Sequence, residues 1–493
     1  MTERGSSPGD TRVARLVAML ESLETFVAKD GTAFATCDGV AVPLNSSAFK
    51  SRLVYSYFLR YGGSPGRASD EVIEVLCARA SAEGKIRDVF TRVGGSDGTL
   101  YLDLMEGRYC EVRRDGWDVV ERSPVHFQRP AGMLPLPTPQ RTTTPLPQLL
   151  APFLNSRTPD DTALIVGIVL AALRPRGPYP VGVLSGPQGS AKSSVAWALK
   201  MLICPSATPL VSLPSDDLSV LVSSKHSHFL AWDNVSHLSE NLSDALCRLS
   251  TGAGISRRKL FSDSDLSTIG VCKPVLLNGI EDFCVRGDLL SRCITVELAP
   301  IKAADRMTDE AFKNRYLAQL PCLLGATLNA LSMALRTYDA NGSIEHVDGC
   351  RMADLLLWVE AGSEALGWEP GTFTRAYKHN LSRGSDLALE ACVWLPSLLS
   401  ALRTGGFKGT ASQFLQKLKA DGDDWEAQRT PAWPKTPRQM SNALKRLQPN
   451  LASVGIQVAR ERGSDHDHSR ILRIWREGSS QQPKPGEKDV LPF

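Results

Sequence analysis

The sequence lacks any strictly apolar run long enough to cross a membrane. The longest such run, counting glycine, is Ala163–Leu173, whereas a transmembrane helix needs about 20 residues, so this run predicts a buried helix. The first residues, Met1–Val13, are polar and mixed in charge and lack the apolar core of a signal peptide. We therefore expect a cytoplasmic protein with no membrane partner.

The sequence also lacks any Cys-x-x-Cys pair. Its 11 cysteines are scattered from Cys37 to Cys392, and such an odd, dispersed set favours reduced thiols over a disulfide framework or a zinc site. The net charge is small as well, because 56 lysines and arginines stand against 53 acids in 493 residues. Hydrophobic residues make up 42% of the chain, enough for three or four domains of about 150 residues each.

The first 128 residues combine two kinds of periodicity. The helical spacing of apolar residues predicts helices over Arg12–Ala28, Ser47–Arg60 and Ser69–Ala82. Alternation with a period of two then predicts strands between Val89 and Val112, separated by glycine-rich turns. This order indicates a small α+β module, and the proline-rich stretch that follows it predicts an extended linker.

A glycine-rich loop lies between a short apolar strand, Tyr179–Ser185, and a helical run. This order is the context that a phosphate-binding P-loop requires, because backbone N–H groups and the helix N-terminus then face the phosphate oxygens. The alternative is an ordinary strand, turn and helix that happens to contain Lys-Ser. The predicted nucleotide-binding positions are Gly186, Pro187, Gln188, Gly189, Ser190, Ala191, Lys192, Ser193 and Ser194.

Two side chains of this loop carry the predicted chemistry. Lys192 would contact the β- and γ-phosphates of ATP, and the hydroxyl group of Ser193 would bind Mg²⁺. Ala191 stands where the usual pattern has a glycine. Because alanine is small and adopts helical angles, we expect the helix to begin there.

An acidic residue follows the next apolar strand, His228–Trp232. We expect the carboxylate of Asp233 to bind Mg²⁺, and the alternative is an Asx-turn at the end of a strand. The next residue, Asn234, stands where many P-loop ATPases have a catalytic glutamate. Since an amide orients water but accepts its proton poorly, this residue predicts slow hydrolysis or the use of another acid.

Further polar residues accompany the next two apolar strands. Asn278 ends one strand, where it would position the attacking water or contact the γ-phosphate, although Asn-Gly is equally a turn signal. Arg286 and Arg292 precede the other strand, where an arginine can reach a γ-phosphate bound by a neighbouring subunit. The alternative for these arginines is an ion pair with Asp288 or Asp282.

A basic cluster lies between the Asp233 strand and the Asn278 strand, at Arg257, Arg258 and Lys259. Such a hairpin can follow a nucleic-acid backbone, and the alternative is a solvated hairpin. An acidic turn after the cluster argues against contact between the hairpin tip and DNA.

The segment after residue 300 is mostly helical and predicts a lid over the nucleotide. Arg306 and Arg351 are candidate lid arginines that would contact the nucleotide. The alternative for each of them is an ion pair within a helix.

The order of these motifs resembles the core of superfamily 3 helicases, a variant of the AAA+ ATPases. More narrowly, the motifs resemble a group of bacterial prophage and integrative-element ATPases of the helicase or primase-associated type. The resemblance covers roughly residues 150–382. It implies a ring-shaped homo-oligomer, such as a hexamer, in which ATP bound between subunits drives movement along single-stranded DNA, with a primase as a further partner. The motifs that carry it are Asp233-Asn234, Leu249-Ser-Thr-Gly252, Leu276-Leu-Asn-Gly279 and Arg286-Gly-Asp-Leu-Leu-Ser-Arg292.

The last compact segment combines three predicted helices, the third over Thr436–Leu447, with two strands, an order that describes a winged helix. Residues 401–476 hold 14 lysines and arginines against 7 acids, a basic excess that is typical of nucleic-acid modules. Arg438, Lys445 and Arg446 would face DNA, although winged helices also bind proteins.

We therefore expect a multi-domain α/β protein that acts as an ATP-dependent DNA helicase or translocase in replication of a mobile element. It would use ATP and Mg²⁺ and bind single-stranded DNA or an origin duplex. A non-translocating ATP switch, acting as a DNA-bound regulator or initiator, is the main alternative, and a small-molecule kinase is a weaker one. The predicted segments are an N-terminal α+β module (1–129), a proline-rich linker (130–149), a P-loop ATPase core (150–300), a helical lid (301–388), a winged-helix domain (389–477) and a disordered tail (478–493).

Overall fold

The protein, seen in a computed structural model, folds as two compact units. The first comprises residues 1–281 and 296–376, and the second comprises residues 282–295 and 377–493. The predicted tail and Lys259 lie outside the described residues. Those residues are 11–252, 255–258, 266–269, 271–280, 283–284, 286–340, 350–403, 405–422, 425–462 and 470–477.

In the described residues from 11 onward, three helices and ten strands form the N-terminal part of the first unit. The helices are α1 (Arg12–Leu20), α2 (Ser47–Tyr61) and α3 (Ala68–Glu83). The strands are β1 (Thr25–Ala28), β2 (Ala33–Cys37), β3 (Val40–Pro43), β4 (Ile86–Arg87), β5 (Val89–Phe90), β6 (Val93–Ser96), β7 (Thr99–Met105), β8 (Arg108–Arg113), β9 (Gly116–Val120) and β10 (His126–Phe127). They build one sheet in the order β4-β1-β2-β3-β10-β5 and another in the order β6-β7-β8-β9.

The helix predicted over Arg12–Ala28 is wrong in its second half. Helix α1 ends at Leu20, and strand β1 pairs with β2 and β4. This strand contains threonine, phenylalanine and valine, whose β-branched and aromatic side chains suit a pleated sheet. The ring of Phe26 is fully buried and stacks on Phe34 with 5.7 Å between the ring centres. Pairing with distant strands therefore overrides the helical spacing.

The proline-rich stretch at residues 130–149 is hydrogen-bonded along the first unit. The backbone N–H of Leu134 donates to the carbonyl oxygen of Pro205, and the N–H of Gln140 donates to that of Pro321. These bonds fix the extended backbone to the unit before a short helix begins at Leu146.

Parallel strands and flanking helices follow. The helices are α4 (Leu146–Leu150), α5 (Pro159–Ala172), α6 (Lys192–Ile203), α7 (Asp217–Lys225), α8 (Glu240–Thr251) and, in the second unit, α9 (Gly287–Leu290). The strands are β11 (Val181–Ser185), β12 (Val211–Ser212), β13 (Leu230–Asp233), β14 (Ile255–Arg258), β15 (Leu266–Ile269), β16 (Val275–Asn278) and β17 (Cys293–Glu297).

Five of these strands form a sheet in the order β12-β13-β16-β11-β17. Strands β12, β13, β16 and β11 are parallel to their neighbours in that order, which confirms the expected α/β core with a parallel sheet. The carboxyl ends of β11, β13 and β16 therefore lie at one edge. In open α/β sheets, ligands bind at this edge, beside the strand where the chain order reverses, and here that strand is β11.

The chain continues with helices α10 (Asp309–Ala340), α11 (Ala353–Ala361) and α12 (Thr372–Glu390). The part of α10 over Asp309–Tyr338 is long and apolar enough to cross a membrane by length and composition. However, 61% of its most apolar window is buried inside the protein, as in a core helix of a folded domain, and the hydroxyl group of Tyr316 donates to the carbonyl oxygen of Ala198.

Within the residues that the structure describes, the C-terminal part of the second unit packs four helices on a three-stranded antiparallel sheet. Its elements are α13 (Leu395–Ala401), β18 (Phe407–Thr410), α14 (Ala411–Asp421), α15 (Trp425–Arg429), α16 (Pro437–Ser453), β19 (Ile456–Arg462) and β20 (Arg470–Arg476). The strand order is β18-β20-β19. Helix α16 begins after Thr436, which forms a capping box with Gln439, and it extends six residues beyond the predicted end at Leu447.

Candidate nucleotide-binding site

The glycine-rich loop connects the buried strand β11 to helix α6. Gly186 (φ 141°) and Gly189 (φ 80°) have positive φ angles, which favour glycine. A Cβ atom on Gly186 would lie only 2.6 Å from the carbonyl oxygen of Leu298. The backbone N–H of Leu298 donates to the carbonyl oxygen of Ser185, and the N–H of Ile301 donates to that of Gly189. The segment after β17 is therefore hydrogen-bonded to the loop and to the strand end before it.

Ala191 does not adopt the helical angles that we expected. It has left-handed angles, φ 60° and ψ 24°, and precedes α6, which begins at Lys192. Because the chain takes a positive φ at this turn, glycine would be free of the strain that a Cβ atom introduces. An L-residue in this conformation is roughly 1 kcal/mol less stable than glycine, so this sequence keeps the loop geometry at some cost in stability.

The ammonium group of Lys192 folds back over the loop. Its Nζ donates to the carbonyl oxygen of Gly186 at 2.8 Å and to that of Pro187 at 2.9 Å, and it lies 3.4 Å from the Oγ of Ser190. Partial burial lowers the pKa of Lys192, and the nearby carboxylate of Asp233 opposes this shift. The positive charge is thus held at the loop by oxygen acceptors that phosphate oxygens can replace.

Ser193 and Asp233 meet at the carboxyl edge of the sheet. The hydroxyl group of Ser193 donates to the Oδ1 of Asp233 at 3.0 Å, although the two residues are 40 positions apart in the chain. A hydroxyl and a carboxylate are hard oxygen ligands of the kind that Mg²⁺ prefers. The donor set therefore fits Mg²⁺, and Ser193 and Asp233 are the residues that would hold it.

Asn278 connects the third strand end to this pair. Its side chain is buried, and its Oδ1 accepts from the backbone N–H of Asn234 at 3.1 Å. The Oδ1 of Asp233 accepts from the same N–H at 3.0 Å, and Asn234 has a positive φ of 56°. Within the described residues, the Nδ2 of Asn278 has no hydrogen-bond partner. A buried unsatisfied donor is costly, so an anionic oxygen or water at this edge would be stabilised by it.

The remaining loop residues differ in exposure. Pro187 and Gln188 are exposed, Ser194 is half-buried in the first turn of α6, and Ser190 is fully buried. The two exposed positions form the outer rim of the loop, whereas Ser190 anchors the loop to the core.

Two side chains from other segments lie beside the glycine-rich loop. The Nδ2 of Asn155 donates to the carbonyl oxygen of Ser190 at 3.0 Å and also to that of Ala299. Asn155 was not predictable from the sequence, because a lone asparagine 31 residues before the loop carries no motif. The Nη2 of Arg306, a candidate lid arginine, lies 3.4 Å from the position that a Cβ atom on Gly189 would occupy. This places a second positive charge beside the loop.

The predicted basic hairpin is formed by strands β14 and β15. They pair antiparallel, from Ile255 with Ile269 to Arg258 with Leu266. Arg257 and Arg258 belong to β14, and the acidic turn lies outside the described residues. A role of this hairpin in DNA binding stays a prediction.

Arg286 and Arg292 belong to the second unit. The Nη2 of Arg286 lies 2.9 Å from the Oδ2 of Asp288, which is the ion pair of the alternative interpretation. The Nη1 of Arg292 donates to the backbone carbonyl oxygen of Asp288 at 2.6 Å. Both arginines therefore stabilise the short helix α9, and contact with the γ-phosphate of a neighbouring subunit stays a prediction.

Helix α16 separates its basic residues from its apolar ones. Arg438, Lys445 and Arg446 are exposed, whereas Met440 and Leu444 are fully buried in the core of the second unit. The helix therefore presents cations on its solvent side, and their contact with DNA stays a prediction.

The fold and the loop define a mixed α/β protein with a parallel sheet and a glycine-rich loop at the carboxyl edge of that sheet. Residues 148–369 match the model of AICE RepA, the actinomycete integrative conjugative element replication protein, and residues 395–485 match the model of the AICE RepA C-terminal domain. The chain is thus similar to a replication protein of a mobile element, and this confirms the integrative-element part of the resemblance.

Comparisons with individual proteins are weaker. The SCCmec type IV Cch structure, titled an active helicase, is 12% identical with a TM-score of 0.43 and covers 92% of both chains. The apo C-terminal region of NrS-1 is 13% identical with a TM-score of 0.38, covering 93% of this chain and 97% of that chain. At TM-scores below 0.5 these likenesses establish neither fold nor function. No curated protein matches the chain.

Proposed function

We propose that this protein is an ATP-dependent DNA helicase or translocase-type ATPase that acts in the cytoplasm, in replication of an integrative element. One observation carries the proposal. Lys192, Ser193 and Asp233 meet at the carboxyl edge of a parallel sheet, next to a loop whose glycines have positive φ angles. Structural polar clusters do not require this combination, whereas a nucleoside triphosphate with a divalent cation does.

The residues of the loop divide the work of binding ATP. Backbone N–H groups between Gly186 and Ser194 and the N-terminus of α6 would contact the phosphates. The ammonium group of Lys192 would leave the carbonyl oxygens of the loop and contact the terminal phosphates. Mg²⁺, held by Ser193 and Asp233, would neutralise the charge that develops on the phosphate oxygens.

Two asparagines would handle the attacking water. The unpaired Nδ2 of Asn278 can donate a hydrogen bond to that water or to a phosphate oxygen. Asn234 follows the magnesium-binding carboxylate, and its amide side chain is a weak proton acceptor. We therefore expect turnover to be slow unless DNA binding or a neighbouring subunit completes the site.

Partners follow from the remaining predicted residues. Arg286 or Arg292 would complete the site of the next subunit in a homo-oligomeric ring, such as a hexamer. Arg257, Arg258 and Lys259 would follow single-stranded DNA, while the basic face of α16 would bind DNA as part of a winged helix. The matched replication family is consistent with a DNA partner, and a primase is a further proposed partner.

The test combines two assays on the full chain. Steady-state ATP hydrolysis is measured with and without single-stranded DNA, and strand displacement is measured on a forked duplex. We expect ATP hydrolysis that requires Mg²⁺ and accompanies strand separation. Its rate should rise when single-stranded DNA is added. Absence of hydrolysis in both conditions would contradict the proposed ATPase.

A second candidate is a non-translocating ATP switch that acts as a DNA-bound regulator or initiator. Asn234 favours this function, because a site without a good proton acceptor retains ATP for longer. The same two assays separate the candidates. A switch binds ATP and changes its affinity for DNA, yet shows neither DNA-stimulated hydrolysis nor strand displacement.

A further inference from the structure

The outer side of helix α2 has no part in the proposed nucleotide site. The inner side of the helix packs into the core of the N-terminal module through Leu53 and Tyr57. On the outer side, Tyr55, Phe58 and Leu59 are 62%, 53% and 66% exposed. Single exposed apolar side chains are ordinary, but three large ones within five residues form a continuous surface. We call these three residues the α2 ridge.

The sequence around the α2 ridge is basic and free of acids. Residues 39–69 contain no aspartate or glutamate. The cations of this stretch are Lys50, Arg52, Arg60 and Arg67. Lys50 pairs with Asp70 at 2.5 Å, and Arg52 pairs with Asp38. The flanking acids therefore neutralise the two cations near the start of α2. Arg60 lies at the C-terminal end of α2, and Arg67 directly precedes α3.

Arginines gather at the C-terminal end of α2. The guanidinium groups of Arg15 and Arg60 lie 5.2 Å and 5.8 Å from the ring centre of Tyr61, within the range of cation–π contacts. The Nη1 of Arg12 lies 3.6 Å from the position that a Cβ atom on Gly66 would occupy. The arginine rim of the ridge therefore consists of Arg12, Arg15 and Arg60.

We propose that the α2 ridge and its arginine rim bind single-stranded DNA. Bases would stack on Tyr55 and Phe58, while phosphates would contact the arginines. Aromatic platforms beside cations are the two elements of sequence-tolerant binding to single strands, and a duplex hides the base faces that stacking requires. The positive charges of the arginine rim suit a polyanion better than a neutral protein groove. The site extends the proposed function to the N-terminal module and does not depend on ATP hydrolysis.

Photo-cross-linking locates the bound strand directly. The full chain, without ATP, is irradiated with a single-stranded oligothymidylate of about 30 nucleotides that carries 5-iodouracil. Trypsin cleaves after Arg52 and Arg60, so residues 53–60 form one peptide that contains both aromatic residues of the ridge. We expect this peptide to carry the cross-link. Cross-links found only elsewhere, or no binding of the oligonucleotide, would overturn the proposal.

An affinity measurement separates stacking from apolar contact. The double variant Tyr55→Leu/Phe58→Leu keeps apolar side chains and helix propensity but removes the aromatic faces. We expect its affinity for the oligonucleotide to fall about tenfold or more, while the matched variant Tyr55→Phe/Phe58→Tyr stays within about twofold. Both are measured in a Lys445→Ala/Arg446→Ala background, so that the basic face of α16 does not mask the change.

Three results of this experiment would overturn the proposal. One is wild-type affinity in the leucine variant at an unchanged melting temperature. Another is equal loss of affinity for a duplex of the same length. The third is an equal loss in Leu59→Ala, which would show that apolar contact, and not base stacking, carries the affinity. Since the substituted side chains are exposed, we expect each variant to melt within about 2 °C of the wild type.

Discussion

The glycine-rich loop and helix α16 position their polar side chains in opposite ways. In the loop, Lys192, Ser193 and Asp233 come together from two strand ends, and each is fixed by hydrogen bonds. On α16, Lys445 and Arg446 are exposed on one face of a single helix. A convergent site fails when one member is removed, whereas an array of cations loses affinity in small steps. The two regions should therefore respond differently to single substitutions.

The largest effect is expected from Lys192→Ala. This change removes the positive side chain that we assign to the terminal phosphates, so ATP binding and hydrolysis should both be lost. Binding of a fluorescent ATP analogue checks the first loss, and phosphate release checks the second. The matched variant Lys225→Ala removes an exposed lysine of helix α7 and should behave like the wild type. Normal ATP affinity in Lys192→Ala would remove the P-loop assignment.

Asp233→Ala should separate binding from turnover. Without the carboxylate that orients Mg²⁺, hydrolysis should fall by about a thousandfold, because a bound cation stabilises the transition state by several kcal/mol. Affinity for the nucleotide should change only a few-fold, since the loop and Lys192 remain. The measurement is a magnesium titration of both activities. If turnover survives in this variant, Asp233 does not hold the metal.

Arg292→Ala tests whether a neighbouring subunit completes the site. We expect normal ATP binding, with hydrolysis reduced by up to about a thousandfold. Mixing this variant with Lys192→Ala should restore part of the turnover, because each supplies the half-site that the other lacks. A monomeric mass at micromolar concentration, together with no rescue, would contradict the ring.

Substitutions on α16 should act gradually. Lys445→Ala/Arg446→Ala should weaken DNA binding and lower the slope of log affinity against log salt by roughly 0.7–0.9 for each phosphate contact that is lost. Fluorescence anisotropy over a salt series measures that slope, while ATP binding at the loop should not change. An unchanged slope would assign this helix to protein docking.

The smallest effect is expected from Ala191→Gly. Glycine removes the strain of the left-handed angles at this position, so the free energy of unfolding should rise by up to about 1 kcal/mol. Ala196→Gly, within helix α6, should instead destabilise by at least about 0.5–1 kcal/mol. Denaturant unfolding compares the two variants. Equal destabilisation by both would show that the loop tolerates alanine without strain.

Local signals allowed strand β11, the glycine-rich loop and helix α6 to be predicted closely. The apolar run before Ser185, the two glycines and the helical run after Lys192 lie within one short segment, so no distant residue is needed to interpret them. Helix α16 was predictable for the same reason, because Thr436 and the proline after it mark its start.

Features that depend on distant contacts were not predictable. Strand β1 forms because it pairs with β2 and β4, and strand β18 forms because it pairs with β20, which no local pattern indicates. The contact of Asn155 with Ser190 likewise joins separate segments. The left-handed angles of Ala191 follow from the loop geometry, whereas the residue type favours a helix.

The most direct test of the account is steady-state ATP hydrolysis by the full chain, with and without single-stranded DNA, beside the Lys192→Ala variant. We expect hydrolysis that requires Mg²⁺, increases when single-stranded DNA is added and disappears in the variant. Phosphate release at the same rate in the wild type and in Lys192→Ala, with or without DNA, would contradict the claim that this loop is the ATPase site.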